Sequence, residues 1–175
     1  KQEEEQVATP TSAPAQLLIY GQGMPGMLWI QFTDAAGNQV AVERATVDDA
    51  WMIAGESGGT SDSTRISSVA GQLLAIRAAR TFDTDLGVGE VGLGNPAFTI
   101  TIRTTTGEEI VTRIGNLNAV GSGYYLQVDN EPVVIVAKLV MDEILRILTE
   151  LPLLPTPTPE FTEAPLPVDE PTPTP

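Results

Sequence analysis

Residues 55–59 match the letters of a nucleophile elbow, with Ser57 at the centre and a predicted strand and helix on either side. Such a serine attacks a carbonyl only when a neighbouring base, usually histidine, takes its proton. The chain has no histidine, so Lys138, the only lysine outside the two flanks, would have to be that base. We therefore interpret residues 55–59 as a loop between a strand and a helix.

Two glycine-rich segments, residues 21–26 and 87–92, match the spacing of a dinucleotide-binding loop. That loop holds pyrophosphate at the N-terminus of the helix that follows it. A strand is predicted after the first segment, which also contains Pro25, and the second is followed by a run ending at Pro96. No helix is expected after either, so we predict turns that use positive φ and no nucleotide site.

Asp83, Asp85 and Glu90 lie close together in a glycine-rich stretch. Carboxylates at such spacing can bind calcium, which takes six to eight oxygen ligands, but the full EF-hand spacing is absent because Gly87 stands at position five. We favour a solvated loop in which Asp83 or Asp85 caps a short turn. No pair among the 23 acidic residues stands out for glycoside hydrolysis. The prediction is no catalytic residue, no metal and no cofactor.

The inventory and the charge exclude further classes. The chain has neither cysteine nor histidine, which excludes disulfides, thiolate nucleophiles and zinc sites of the His/Cys type. The formal net charge of -14 opposes contact with phosphates, so no nucleic-acid partner is expected. The same charge is repelled by an anionic membrane surface.

Four aromatic residues, Trp29, Trp51, Tyr124 and Tyr125, could form a platform for a glycan. Strand alternation places Trp29 opposite its apolar neighbours, so it is predicted to face outward. The two tyrosines are adjacent, so one points inward and one outward. Core packing is expected for Trp51 and for one tyrosine, which leaves Trp29 as the candidate binding residue.

The two flanks have the composition of tethers. Residues 1–15 are polar and contain proline, and residues 151–175 alternate threonine with proline, which favours an extended, disordered chain. The tail is interpreted as a spacer, or as a stalk with glycosylated threonines. The longest apolar run, residues 133–141, is too short to span a bilayer. Because the first residue is lysine, we expect that an upstream signal or anchor was removed.

Residues 16–150 carry the patterns of a folded domain. Alternation and turn residues predict strands at 17–20, 27–33, 40–42, 51–53, 98–102, 110–114, 124–128 and 133–136. A first helix is capped within residues 61–63 and buries Ile66, Val69, Ala70, Leu73 and Ile76. A second helix begins near Lys138, and Asp142 and Arg146 are spaced to pair along it.

An offset of 70 residues aligns Ile30, Phe32, Gly37 and Val40 with Ile100, Ile102, Gly107 and Ile110. We infer two degenerate repeats, about residues 27–80 and 97–150. Each is predicted to form a small antiparallel sheet followed by a covering helix, which gives an α+β fold.

Several short motifs follow one another in a recognisable order between residues 27 and 149. They are Trp51 and Ile53, a helix over 65–79, Asp85-Leu86, Gly92-Leu93 with Pro96, a strand at Ile100, Ile114-Gly115 and Tyr124-Tyr125. In this order they resemble a bacterial domain-of-unknown-function family, number 4340. The resemblance implies a domain outside the cytoplasm, held in the membrane by an N-terminal helix, and in some members placed beside ABC transporter components associated with gliding motility. It implies no activity and no catalytic residue.

The function predicted from these observations is a non-enzymatic, extracytoplasmic interaction domain tethered to the membrane or the cell envelope. Its expected partner is an envelope or transporter-associated protein, and membrane attachment would come only from an upstream anchor. One alternative is a glycan- or wall-binding module that uses Trp29. A lesser alternative is a carboxylate- or metal-dependent enzyme, which requires convergent acids in a cleft. The oligomeric state is left open.

Overall fold

The computed structural model describes residues 17–21, 24–56, 60–82 and 87–155. Within them, eight antiparallel strands form one sheet and two helices pack on one face of it. The spatial order of the strands is β3-β2-β1-β5-β6-β7-β8-β4. The strands are β1 (Met27–Asp34), β2 (Gln39–Glu43), β3 (Met52–Ile53), β4 (Arg80–Thr81), β5 (Phe98–Thr104), β6 (Glu109–Leu117), β7 (Gly123–Val128) and β8 (Val134–Ala137), and the helices are α1 (Ser63–Ala75) and α2 (Lys138–Leu145).

The prediction of two small sheets, each with its own helix, is wrong. The first strands of the two repeats, β1 and β5, pair with each other in the middle of one continuous sheet. Separate sheets would have left both strands as edges with unpaired backbone groups. Pairing them satisfies those groups and lets the two helices share one core.

The first hairpins of the two predicted repeats, β1–β2 and β5–β6, are nevertheless related by a local two-fold axis. Gln31 pairs with Thr101 across β1 and β5, and 31 + 70 = 101, so each is the other's counterpart in the repeat. The flanking pairs are symmetric about this point, because Ile30 faces Ile102 and Phe32 faces Ile100. The hairpins β1–β2 and β5–β6 therefore extend from the axis in opposite directions.

Helix α1 forms as the sequence predicts. Asp62 is its N-cap, and its carboxylate accepts the backbone N–H of Arg65 at 3.0 Å. The helix ends at Ala75, and Ile76 is its C-cap. All five apolar residues predicted on its inner side are buried: Ile66, Val69, Ala70, Leu73 and Ile76.

Helix α2 begins at Lys138 as predicted and continues into a 3-10 turn, Arg146–Leu148. The predicted pair between Asp142 and Arg146 is wrong. Asp142 pairs with Lys138, one turn earlier, and Arg146 pairs with Glu143 at 3.0 Å. Both observed pairs also have the spacing that a helix brings together, so spacing alone did not choose among them.

The loop before β5 was not predicted to pack on the sheet, yet it covers part of the face opposite the helices. Val91 and Leu93 form a second small core there with Val133 and Tyr125. A Cβ on Gly115 of β6 would lie 2.2 Å from the carbonyl oxygen of Val91. Only glycine fits at this position, because the covering atom belongs to the backbone.

Short segments at the two ends of the described chain form backbone bridges with residues that flank α1. Leu18 forms a single bridge with Arg77, so the strand predicted at 17–20 is one bridge followed by a turn. Leu153 bridges Ser61. Backbone pairing thus extends past residue 150, while residues 1–15 and 156–175 of the predicted flanks lie outside the described residues.

Candidate functional site

The face of β2, β1, β5 and β6 that points away from the helices is called the open face here. Strand alternation brings polar side chains to it, because the residues between them build the core. Two rows cross it, one on each side of the local axis. The Trp29 row is Glu43, Trp29, Arg103 and Glu109, and the threonine row is Gln39, Thr33, Thr99 and Arg113.

The Trp29 row contains a stacked and paired arginine. The guanidinium carbon of Arg103 lies 4.2 Å from the centroid of the Trp29 ring. Its Nε donates to a carboxylate oxygen of Glu109 at 3.1 Å. The side chains of Arg103 and Glu109 keep 55% and 51% of their exposure, so their remaining donors and acceptors face solvent.

Cross-strand register produces this arrangement. Arg103 is the direct partner of Trp29 on β1 and of Glu109 on β6. Side chains that face each other across antiparallel strands have their Cβ atoms about 5 Å apart, which is within reach of an arginine. The stack and the ion pair orient the guanidinium, and its remaining donors are exposed to solvent.

The threonine row lies on the other side of the local two-fold axis, at the position that symmetry relates to the Trp29 row. Its central pair is Thr33 and Thr99, which the 70-residue offset relates to Arg103 and Trp29. Thr33 receives a 3.3 Å hydrogen bond from the side chain of Gln31. The same backbone geometry thus carries an aromatic and cationic pair at one end and two small hydroxyls at the other.

The structure does not bring the four predicted aromatic residues together. Trp51 is in the core with 5% exposure, as expected, and the guanidinium of Arg44 lies 4.7 Å from its ring centroid. Tyr124 is on the helix side, whereas Tyr125 is on the opposite side beneath the loop before β5. The prediction that the two tyrosines point to opposite sides is confirmed, and a shared platform with Trp29 is ruled out.

A second polar cluster joins β7 to α2. The hydroxyl of Tyr124 donates to Asp142 at 2.9 Å, and Lys138 also binds that carboxylate. Partial burial raises the pKa of Tyr124, and the hydrogen bond to Asp142 adds to the effect. The pKa of Asp142 is lowered, because the hydrogen bonds from Lys138 and Tyr124 together outweigh its partial burial. A tyrosine with a raised pKa is a poor general base. The cluster is better suited to a structural role, because its hydrogen bonds join α2 to β7.

The glycine segments and the acidic loop contain no assembled site in the described residues. Residues 24–26 lead into β1, and residues 87–94 form turns before β5, so no helix begins at either segment. Ser57, Asp83 and Asp85 lie outside the described residues, and Glu90 lies in the turn beside Gly87. Among the residues that the structure describes, no three acidic side chains are placed to hold one metal ion.

Sequence reasoning identified Trp29 but missed Arg103 and Glu109. The 70-residue offset between the predicted repeats contained the information needed to place Arg103. Once β1 and β5 are paired about Gln31 and Thr101, the register places Arg103 beside Trp29. That step required knowing that the two repeats share one sheet.

Comparisons of the chain with protein families, with curated proteins and with solved structures found no match. Neither helix within residues 17–155, as far as they are described, is long and apolar enough to cross a membrane.

Proposed function

We propose that the chain is a non-enzymatic interaction domain that binds a protein partner through the Trp29 row of the open face. The observation that carries this proposal is the half-buried Trp29 stacked on an exposed, oriented Arg103. Tryptophan and arginine are enriched among the residues that dominate binding energy at protein interfaces.

The edges of the sheet are less suited to binding than its open face. Each edge strand, β3 and β4, is only two residues long. A partner strand added to such an edge would find few backbone groups to pair with, and short edge strands are a common protection against such addition. This favours contact through side chains on the face.

A glycan partner fits the open face less well than a protein partner, because Arg103 is stacked on Trp29. Sugar rings bind tryptophan by lying against a free face of the indole, as other apolar groups do. Arg103 already occupies one face of the Trp29 ring at 4.2 Å. A protein surface with a carboxylate for Arg103 and an apolar edge for Trp29 matches the pair better.

The proposed location is outside the cytoplasm, with the domain tethered to the membrane or envelope and bound to an envelope or transporter-associated protein. Two observations support it: the resemblance to family 4340 and the threonine-proline composition of residues 151–175. The net charge of -14 fits contact with a protein that offers basic groups better than contact with an anionic lipid surface.

The test is site-specific photocrosslinking of the full-length protein in membranes of the source cells. A photoreactive residue replaces Thr101 on the open face, and in the control it replaces Ser67, which is exposed on α1. We expect a recurrent adduct with an envelope protein from position 101 and not from position 67. Equal adducts from both positions, or none, would contradict a specific contact at the open face.

Substitutions in the two rows sharpen the test. Trp29→Ala and Arg103→Ala should each reduce the adduct at least about tenfold, because truncation of a residue that dominates an interface costs about 2 kcal/mol or more of binding energy. Thr33→Ala, in the threonine row, is the matched control and should leave the adduct unchanged. If polysaccharide retention falls with Trp29→Ala while no protein adduct forms, the glycan alternative replaces the proposal.

A further inference from the structure

A cavity of about 510 Å³ lies on the helix side of the sheet, where β6, β7 and β8 begin or end. The segment Leu17–Gly21 forms one of its walls, and Ile19 and Tyr20 pack against the main core from there. The remaining apolar lining comes from Ala78, Pro132 and three partly buried strand residues, which are Ile110, Val128 and Val134. Its size and apolar lining are typical of small-molecule sites, which occupy about 300 to 1,000 Å³.

Hydrogen bonds fix the wall that contains Tyr20. The backbone N–H of Ile19 donates to the carbonyl of Ile76 at 3.1 Å. The Tyr20 hydroxyl is hydrogen-bonded to the hydroxyl of Thr112 on β6 at 2.9 Å, and burial raises the pKa of this phenol. The wall is therefore part of the folded domain and not a loose end lying over it.

Three acidic residues line this cavity: Glu108, Asp129 and Glu131. They stand on two tight turns whose backbones are hydrogen-bonded. The N–H of Thr104 donates to the carbonyl of Glu108 at 3.0 Å, and the N–H of Glu131 donates to the carbonyl of Val128 at 2.8 Å. Asp129 has a positive φ of 47°, and its carboxylate accepts the N–H of Val111 at 2.9 Å.

The carboxylates of Glu108, Asp129 and Glu131 form no ion pair with a described residue, and Arg113 is a neighbouring cation, which donates to the backbone carbonyl of Asp129 at 3.2 Å. The ion pairs formed between described residues join Arg65 to Glu150, Arg103 to Glu109, Lys138 to Asp142 and Arg146 to Glu143, all without the cavity's carboxylates. These carboxylates also do not converge closely enough to hold a metal ion. A spread of negative charge around an apolar hollow complements a large, weakly hydrated cation.

We propose that this cavity binds a small amphiphilic organic cation, with an ammonium group among Glu108, Asp129 and Glu131 and an apolar body against the lining. The site is independent of the Trp29 row, which lies on the opposite face of the sheet. The apolar wall supplies affinity through buried area, and the carboxylates select the charge of the ligand.

The test uses hexyltrimethylammonium as the probe, titrated into the full-length protein and followed by backbone amide NMR shifts. We expect saturable binding with a dissociation constant of about a millimolar for a probe of this size. The shifts should map to the segment Leu17–Gly21 and to the turns at Glu108 and Asp129. Hexanol and hexanoate test the charge requirement and should bind at least about fivefold more weakly.

The double variant Glu108→Gln, Glu131→Gln should weaken binding of the probe by about tenfold, since it removes two charges and keeps the size of both side chains. The matched control is Asp48→Asn, Glu90→Gln, which removes two charges elsewhere on the surface and should keep the affinity. Thr81→Trp, on a short exposed strand that lines the cavity, should block it by filling the space.

Three results would overturn the proposal. The first is no saturable binding of the probe, and the second is equal binding of hexanol. The third is equal weakening in both charge variants, which would show that net charge and not this site attracts the cation.

Discussion

The hairpins β1–β2 and β5–β6 have matching registers and differ in what they place on the face opposite the helices. The first repeat supplies Trp29, whose counterpart in the second is Thr99, and the second supplies Arg103, whose counterpart in the first is Thr33. Because the axis brings Trp29 and Arg103 to the same end, neither repeat alone contains the pair. The candidate site therefore forms only where β1 of the first repeat pairs with β5 of the second.

The repeats also differ in how that face is covered. Gly115 in the second repeat lies beneath the backbone of Val91, and the N–H of the next residue donates to the same carbonyl at 2.9 Å. Its counterpart in the first repeat is Ala45, since 115 − 70 = 45, and Ala45 is exposed. The second repeat therefore uses the part of its outer face around Gly115 for folding, whereas the equivalent position in the first repeat is uncovered.

The largest expected effect comes from breaking that cover. Gly115→Ala places a Cβ 2.2 Å from a backbone oxygen that cannot move without shifting the loop. We expect a loss of about 3 kcal/mol in the free energy of unfolding, within the range for overpacking. Denaturant unfolding followed by tryptophan fluorescence measures it.

The control for this change is Ala45→Gly at the uncovered counterpart. We expect a change within about 1 kcal/mol there, because the position is exposed and nothing packs over it. Equal losses at positions 115 and 45 would mean that cover by the loop before β5 does not distinguish the repeats.

A smaller effect is expected from separating Trp29 and Arg103. A double-mutant cycle with Trp29→Ala and Arg103→Ala should give a coupling energy of about 0.5 to 1 kcal/mol, typical of an exposed cation–π pair. The same cycle on Thr33 and Thr99 should give about 0.2 kcal/mol. Denaturant unfolding of the four proteins in each cycle gives the coupling energies. Equal coupling energies in the two rows would contradict the proposed difference between the Trp29 row and the threonine row.

The smallest effect concerns the first turn of each repeat. Asp34 accepts hydrogen bonds from the side chain of Asn38 and from backbone N–H groups, which lower its pKa below the usual 3.8. Its counterpart is Thr104, which does not titrate. A lowered pKa stabilises the folded state above pH 3.8 or so, and this contribution is lost as the pH falls through the folded-state value.

Asp34→Asn should therefore lower the melting temperature slightly near neutral pH, and the difference from the unaltered protein should shrink below about pH 4. Thr104→Ser is the control and should give a difference that does not depend on pH. Thermal unfolding followed by circular dichroism between neutral and acidic pH tests both. A constant difference for Asp34→Asn would contradict the stabilising role of its ionised form.

Local structure was largely predictable from the sequence. The alternating residues of β1, the Asp62 cap and the start of α2 at Lys138 follow from short-range patterns that the structure confirms. The pairing of β1 with β5 was not predictable from such patterns, because it joins residues about 70 apart. The loop before β5 was missed for a related reason, since Val91 and Leu93 are too few to show a period.

The candidate site was predictable only in part. Outward orientation of Trp29 followed from alternation, whereas Arg103 and Glu109 entered with the register between strands. The cavity bordered by Glu108 depends on Leu17–Gly21 packing beside turns far along the chain, and no local pattern encodes that contact.

The bridges at the two ends of α1 have a mechanical consequence. Leu18 pairs beside the C-terminal end of the helix and Leu153 beside its N-terminal end, so the two flanks join the domain at points separated by about 20 Å of helix. Tension applied between the flanks would load these two short pairings first. The eight-stranded sheet, whose central strands are joined by far more hydrogen bonds, would remain unloaded until they yield.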